Sequence, residues 1–159
     1  MQAGEGGSSP ERTVVAAGGC QCGAVRYALY VEPQNVHVCH CRMCQRATGG
    51  LFAALAGAPR ADFAWTHGTP AFFSSSNLAR RGYCAQCGTP LSFAYERPDA
   101  RIYVTIGSLD EPGGAPVVRQ YGIESRLPWV QFCETLPAEA TGSEATAAAY
   151  LATMQIFQR

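Results

Sequence analysis

Cys39-His40-Cys41-Arg42-Met43-Cys44 places three thiols in one short segment. On an extended chain, side chains repeat every second residue, so Cys39 and Cys41 share one side while His40 takes the other. Cys44 follows at the offset where a tight turn or first helical turn returns a side chain to the same place. Converging thiols suit a soft, thiolate-binding metal, zinc above all, which takes four ligands in a tetrahedron. This segment supplies three good ones, so the fourth position decides the chemistry.

The remaining thiols fall into two pairs and a singleton. Cys84-Ala85-Gln86-Cys87-Gly88 has the spacing of a metal-binding knuckle, whose turn calls for a residue tolerant of positive φ after the second Cys. A redox dithiol would want a βαβ setting, and the neighbourhood reads as all-β. Cys20 and Cys22, on one face of a strand, supply two more thiolates. Joined with Cys84 and Cys87, they complete a closed, structural four-Cys site whose clip ties the start of the chain to its middle and couples metal binding to folding. Joining them instead to the central cluster would give five thiolates at one site and strand Cys84 and Cys87. Cys133 stands apart and is expected to be a buried free thiol.

These clusters need a scaffold, and its rhythm is that of short strands. Thr13 to Ala17 is expected to be a strand that turns at Gly18-Gly19 into the first pair, and Gly23 to Val31 a second strand stopped by Pro33. Val36 to Val38 leads as a third into the central cluster. Arg42 to Thr48 tolerates a short helix, with Gly49-Gly50 as its stop. Leu51 to Ala56 is apolar but too short for periodicity to decide, and its neighbours make it a strand. Short runs recur at 61–66, 71–75, 80–83, 91–95 and 102–106, punctuated by Gly, Pro or Asn. A turn-rich stretch with Pro112, Gly113, Gly114 and Pro116 precedes Val117 to Ile123 and an apolar patch at Pro128-Trp129-Val130. Glu144 to Phe157, rich in Ala and free of Gly and Pro, is expected to form a terminal helix. The division that follows is a mobile Gly/Ser leader at 1–12, one mainly β zinc domain at 13–138, and a helical extension at 139–159 packed on it.

With 159 residues, the chain is long enough for one domain with a real core. Twelve basic residues balance twelve acidic ones, which argues against a nucleic-acid binder or a protein held at an anionic membrane and favours small-molecule partners. No run approaches the roughly 20 apolar residues of a membrane span. Residues 1–12 also lack the apolar run of a signal peptide, so the expected location is the cytoplasm. In that reducing compartment the eight cysteines read as metal ligands rather than as a disulfide framework. The sequence carries no signal of oligomeric state.

Four ordered stretches carry a family resemblance: Gly19-Cys20-Gln21-Cys22-Gly23-Ala24-Val25, Cys39 to Gly49, Tyr83 to Leu91, and Gly107-Ser108-Leu109-Asp110. Together the chain resembles the glutathione-dependent formaldehyde-activating enzyme family. The resemblance implies an Mss4-like, mainly β fold with two zinc ions. One is a structural zinc on Cys20, Cys22, Cys84 and Cys87, and the other a catalytic zinc on Cys39, Cys41 and Cys44. It also implies glutathione as the small thiol partner and a carbon–sulfur lyase reaction, the joining of glutathione and formaldehyde into S-hydroxymethylglutathione or its reverse. Toward its end the chain departs from the pattern, with Tyr121 where family members often carry His.

Three thiolates leave zinc with a formal charge of minus one, which suits a sulfur ligand better than an activated water. A substrate thiol held there as thiolate is in its nucleophilic form. Arg42 and Arg46 flank the cluster and are the candidate substrate-binding residues, able to pair with carboxylates, although both also read as solvated charges on a short helix. His40 is expected to be a hydrogen-bonded support rather than a fourth ligand, and His37, on the strand face of Cys39, a less favoured ligand candidate. His67 reads as a loop residue, and Trp65 and Trp129 as packing. The competing class is a non-catalytic, zinc-stabilised binding or chaperone-like module of the same fold. A pocket at Cys39 to Cys44 would favour the enzyme, and an exposed apolar patch without access to the metal would favour the module.

Overall fold

The computed structural model of the chain describes residues 12–97 and 101–131, with Ala149 and Ala152 beyond them. Cys133, nearly all of the expected leader, and the expected terminal helix apart from those two alanines lie outside the described residues.

The described architecture is mainly β, as the punctuated runs require. Two sheets form. The smaller joins β1 (Ala16–Gly19), β2 (Arg26–Leu29) and β5 (Phe63–His67) in the order β1-β2-β5. The larger runs β10-β3-β4-β9-β8-β7-β6, from β3 (Gln34–Cys39), β4 (Ala53–Ala58), β6 (Ala71–Ser74), β7 (Ala79–Tyr83), β8 (Pro90–Tyr95), β9 (Ile102–Thr105) and β10 (Arg119–Tyr121). Neighbours are antiparallel except β10, which lies parallel to β3. The helix α1 spans Arg42–Thr48 and ends on Gly49, whose φ of 65° gives the expected stop.

The small-residue run after α1 is the inner strand β4, two residues later than expected. Its composition has a packing reason, because a Cβ at Gly57 would stand 2.8 Å from the Tyr103 ring and 2.9 Å from the Gln34 carbonyl. Gly18-Gly19 corrects another expectation. The pair belongs to β1 rather than to a turn, and the chain turns instead at Gln21-Cys22. Bare backbone is what that position requires, since a Cβ on Gly18 would meet the Ser108 carbonyl at 2.3 Å.

The core gathers where the two sheets face one another. Tyr27 of β2 and Leu91 and Val104 of β8 and β9 are among its most buried side chains. Tyr27 bonds the Ser108 hydroxyl at 2.7 Å and packs against Phe63 and Trp65. Trp65 is thus a packing residue, whereas Trp129 is exposed. Arg26 bonds Asp110 at 2.9 Å, so the Ser108-Leu109-Asp110 corner is fastened to the small sheet by side chains as well as backbone.

Candidate metal centre

Two cysteine clusters emerge from this scaffold. In the first, Cys20 and Cys22 sit in the turn after β1 of the small sheet, and Cys84 and Cys87 in the turn between β7 and β8 of the large one. All four Sγ atoms lie within 4.8 Å of one another. Sγ of Cys22 is 3.5 Å from Cys20 and 3.8 Å from Cys84, across 62 residues of sequence. Gly88 closes the knuckle at φ 77°, the left-handed backbone expected after the second Cys. Its amide donates to the Cys84 carbonyl at 2.9 Å.

In the second, Cys39 ends β3, Cys41 stands at the N-cap position of α1 and Cys44 lies within the helix. Their Sγ atoms also fall within 4.8 Å of one another, with Cys39 and Cys41 at 3.5 Å. Each cluster could hold a metal ion, and the seven described cysteines are all free. The donor sets differ in kind, since the first offers a complete tetrahedron and the second is one ligand short.

The electrostatics of the second cluster divide its thiols. The Cys44 thiol is pulled down to about 5, first by its hydrogen bond with Cys39 and then, against burial, by Arg81. That same bond pushes Cys39 up, with burial adding to it. Arg81 Nη2 donates to Cys44 Sγ at 3.4 Å, and its guanidinium stands 4.8 Å from the centre of the Phe93 ring, directly across from it on β8.

Around the thiols lies a cavity of about 490 Å³ that Cys39, Cys41 and Cys44 help to line, with His37, Arg81 and Tyr121 among its other walls. A second cavity of about 530 Å³ adjoins it, and the two share Met43, Leu55, Arg81 and Phe93. These sizes are those of small-molecule sites.

The candidates from sequence are placed unevenly. His40 is fully buried and points away from the cavity, its Nε2 donating to Gln120 Oε1 at 3.0 Å and its ring edge-on to Phe52. His37 lines the cavity but is not grouped with the thiols. Its Nδ1 donates to the Asn35 carbonyl at 2.6 Å, which leaves the lone pair of the neutral ring on Nε2. Tyr121, the residue at the family departure, packs edge-on against His37 at 4.8 Å. Arg46 is exposed and lines the adjoining cavity; Arg42 is exposed, lines neither, and bonds Gln45. Sequence reasoning missed Arg81. Strand alternation after Leu78 leaves Arg80 and Arg81 on opposite faces, but only the β7–β8 register says which faces the thiols.

Comparisons with known proteins agree with this architecture. The family model described as glutathione-dependent formaldehyde-activating enzyme matches residues 15–123. A protein of Schizosaccharomyces pombe named "Uncharacterized lyase C29B12.13" is 31% identical over 78 residues, 49% of this chain and 56% of that protein. The chain thus spans little more than half the length of that relative. A crystal structure of a Rhodobacter sphaeroides protein matches with a TM-score of 0.50 and 24% identity, covering 59% of this chain and 87% of the other, a likeness of fold. With motifs, fold and the greater part of its length in agreement, the chain belongs to the glutathione-dependent formaldehyde-activating enzyme family.

Proposed function

We propose that this protein is a zinc-dependent, lyase-like enzyme that makes or breaks a carbon–sulfur bond in a small thiol adduct, with S-hydroxymethylglutathione as the adduct that the family name favours. The observation that carries the reading is the contrast between a closed four-Cys cluster and a three-Cys cluster that opens on a cavity. The donors fit zinc: each set is all-thiol, and Cys44 is held in the ionised form that a metal ligand must have. Zinc held by Cys39, Cys41 and Cys44 would supply a soft cation that keeps a substrate sulfur as thiolate, while Cys20, Cys22, Cys84 and Cys87 would hold the structural ion.

In the breaking direction the adduct's hydroxyl gives up its proton to solvent and its oxygen forms the carbonyl of formaldehyde. The carbon–sulfur electron pair leaves with sulfur as the thiolate. In the joining direction the thiolate attacks the carbonyl carbon and the resulting alkoxide takes up a proton from solvent. His37 lines the cavity with its Nδ1 committed to the Asn35 carbonyl, which leaves Nε2 as the ring nitrogen that can meet the hydroxyl. The free thiols fit a reducing, cytoplasmic setting. No helix among the described residues is long and apolar enough to cross a membrane. The cavity at Cys39 to Cys44 favours an enzyme over a binding module of the same fold.

Calorimetric titration of the zinc-loaded protein with glutathione and with S-methylglutathione tests the reading. Binding that requires the free thiol is the expected result. Equal binding of both, or of neither, would overturn the sulfur-on-zinc chemistry.

A further inference from the structure

We propose that Arg81 binds a carboxylate of the substrate thiol, so that the site selects thiols that carry a carboxylate over neutral ones. The inference rests on the reading above that a thiol joins the Cys39, Cys41 and Cys44 centre. Arg81 lies on the wall common to both cavities and is therefore reached by a ligand in either. Its guanidinium is held from two sides, by Cys44 Sγ at 3.4 Å and by the Phe93 ring. The donation to sulfur uses one of its five N–H groups. Nε is buried without a partner, and among the described residues the guanidinium makes no second hydrogen bond. A half-buried arginine with most of its donors unused, fixed in orientation and facing a cavity, has the features of a carboxylate fork.

Charge points the same way. Three ligand thiolates and a substrate thiolate leave a doubly negative centre once a divalent ion is bound, and a carboxylate beside it would be repelled unless a cation offsets it. Arg81 is the cation that touches the cluster among the described residues. Among the described residues no Asp or Glu lines either cavity, so a substrate carboxylate would meet no further repulsion from these walls. Arg42 and Arg46 are exposed on α1, where solvent screens them.

The test compares 3-mercaptopropionate with 3-mercapto-1-propanol, thiols of equal length that differ in the carboxylate, by calorimetric titration of the zinc-loaded protein. The wild type is expected to bind the acid about 10- to 100-fold more tightly, the worth of a charge-assisted hydrogen bond. In Arg81→Gln the ratio should collapse to within about threefold, and Arg81→Lys should restore part of it. The alcohol serves as internal reference for any effect of the change on Cys44 and the metal. No preference in the wild type, a preference that survives Arg81→Gln, or one lost instead in Arg46→Gln would overturn the assignment while leaving the thiol chemistry standing. Failure of both thiols to bind the wild type would overturn the chemistry itself and the assignment with it. If Arg81→Gln does not fold, Arg81→Lys and Arg46→Gln still divide these outcomes, because a lysine that leaves the ratio unchanged contradicts a forked contact.

Discussion

Removing one ligand from each cysteine cluster is expected to destabilise the protein unequally, and the difference follows from loop length. Cys22 and Cys84 are 62 residues apart and come from turns of different sheets. Cys39 and Cys44 are separated by a single strand-to-helix corner, five residues along the chain. Closing a flexible loop costs entropy in proportion to the logarithm of its length, about 1.5RT per unit of ln n. A clip across the long loop therefore restricts the unfolded chain more than one across the short loop, by 1.5RT ln(62/5), or about 2 kcal/mol. Cys84→Ser should lower the melting temperature further than Cys41→Ser by roughly 5–8 °C, for a domain of this size. The assay is thermal unfolding of both variants against wild type with zinc content measured in parallel, each variant losing one ion. Equal shifts, or a larger one for Cys41→Ser, would refute the division of roles.

Two further outcomes follow from the corner itself. Gly122, at φ 63°, would place a Cβ 2.7 Å from the Cys41 amide nitrogen, so Gly122→Ala should cost about 1–2 kcal/mol for the left-handed backbone alone and loosen metal at the three-Cys site before the four-Cys site, read by chelator competition. The Cys44 thiol, whose ordinary value is 9.0, is lowered to about 5, so in the metal-free fold its contribution to stability is complete above pH 9 and is lost as pH falls through 5. With the four-Cys site kept loaded, calorimetry in two buffers should show metal uptake at this site releasing about half a proton more from Cys44 at pH 5 than at pH 7, and an unchanged count would contradict the ionised Cys44.

What the sequence disclosed depended on how locally each feature is encoded. The strand rhythm and the Gly49 stop of α1 come from residues next to one another, and they were legible to within a few positions. The three-thiol grouping was legible for the same reason, because its ligands lie on one strand end and one helical turn. Pairing Cys22 with Cys84 needed a count of thiolates, since nothing local in either segment names the other. Arg81 was hidden because register is a property of two strands: Arg80 pairs with Glu96 while its neighbour turns to the thiols, and the sequence around them is symmetrical in charge. Arg42 and Arg46 drew attention through nearness in sequence, whereas a helix surface carries them outward. Gly18-Gly19 misled because glycine marks both a turn and a close approach of backbones, and here the Ser108 carbonyl is the cause.

Local spacing brings Cys39, Cys41 and Cys44 together, yet distant residues hold the corner between them in shape. The His40 amide donates to the Tyr121 carbonyl at 2.9 Å, and its ring is fixed by Gln120. Buried Gln45 of α1 donates to the His40 carbonyl at 2.8 Å and reaches the Ser125 carbonyl at 3.2 Å. Tyr121, Gln120 and Ser125 belong to the segment that opens with β10, a strand of three residues that among the described residues pairs with β3 alone. That brace lies against the backbone of the corner at Gly122, beside Cys41, while the Tyr121 side chain forms part of the cavity wall. The cavity that the three thiols line, with Arg81 and His37, is the route open to a ligand. The turn-rich stretch before β10, with its glycines and prolines, lets the chain return from β9 across the sheet to reach that edge. The shape of the three-Cys centre is thus set as much by residues 119–125 as by the cysteines themselves.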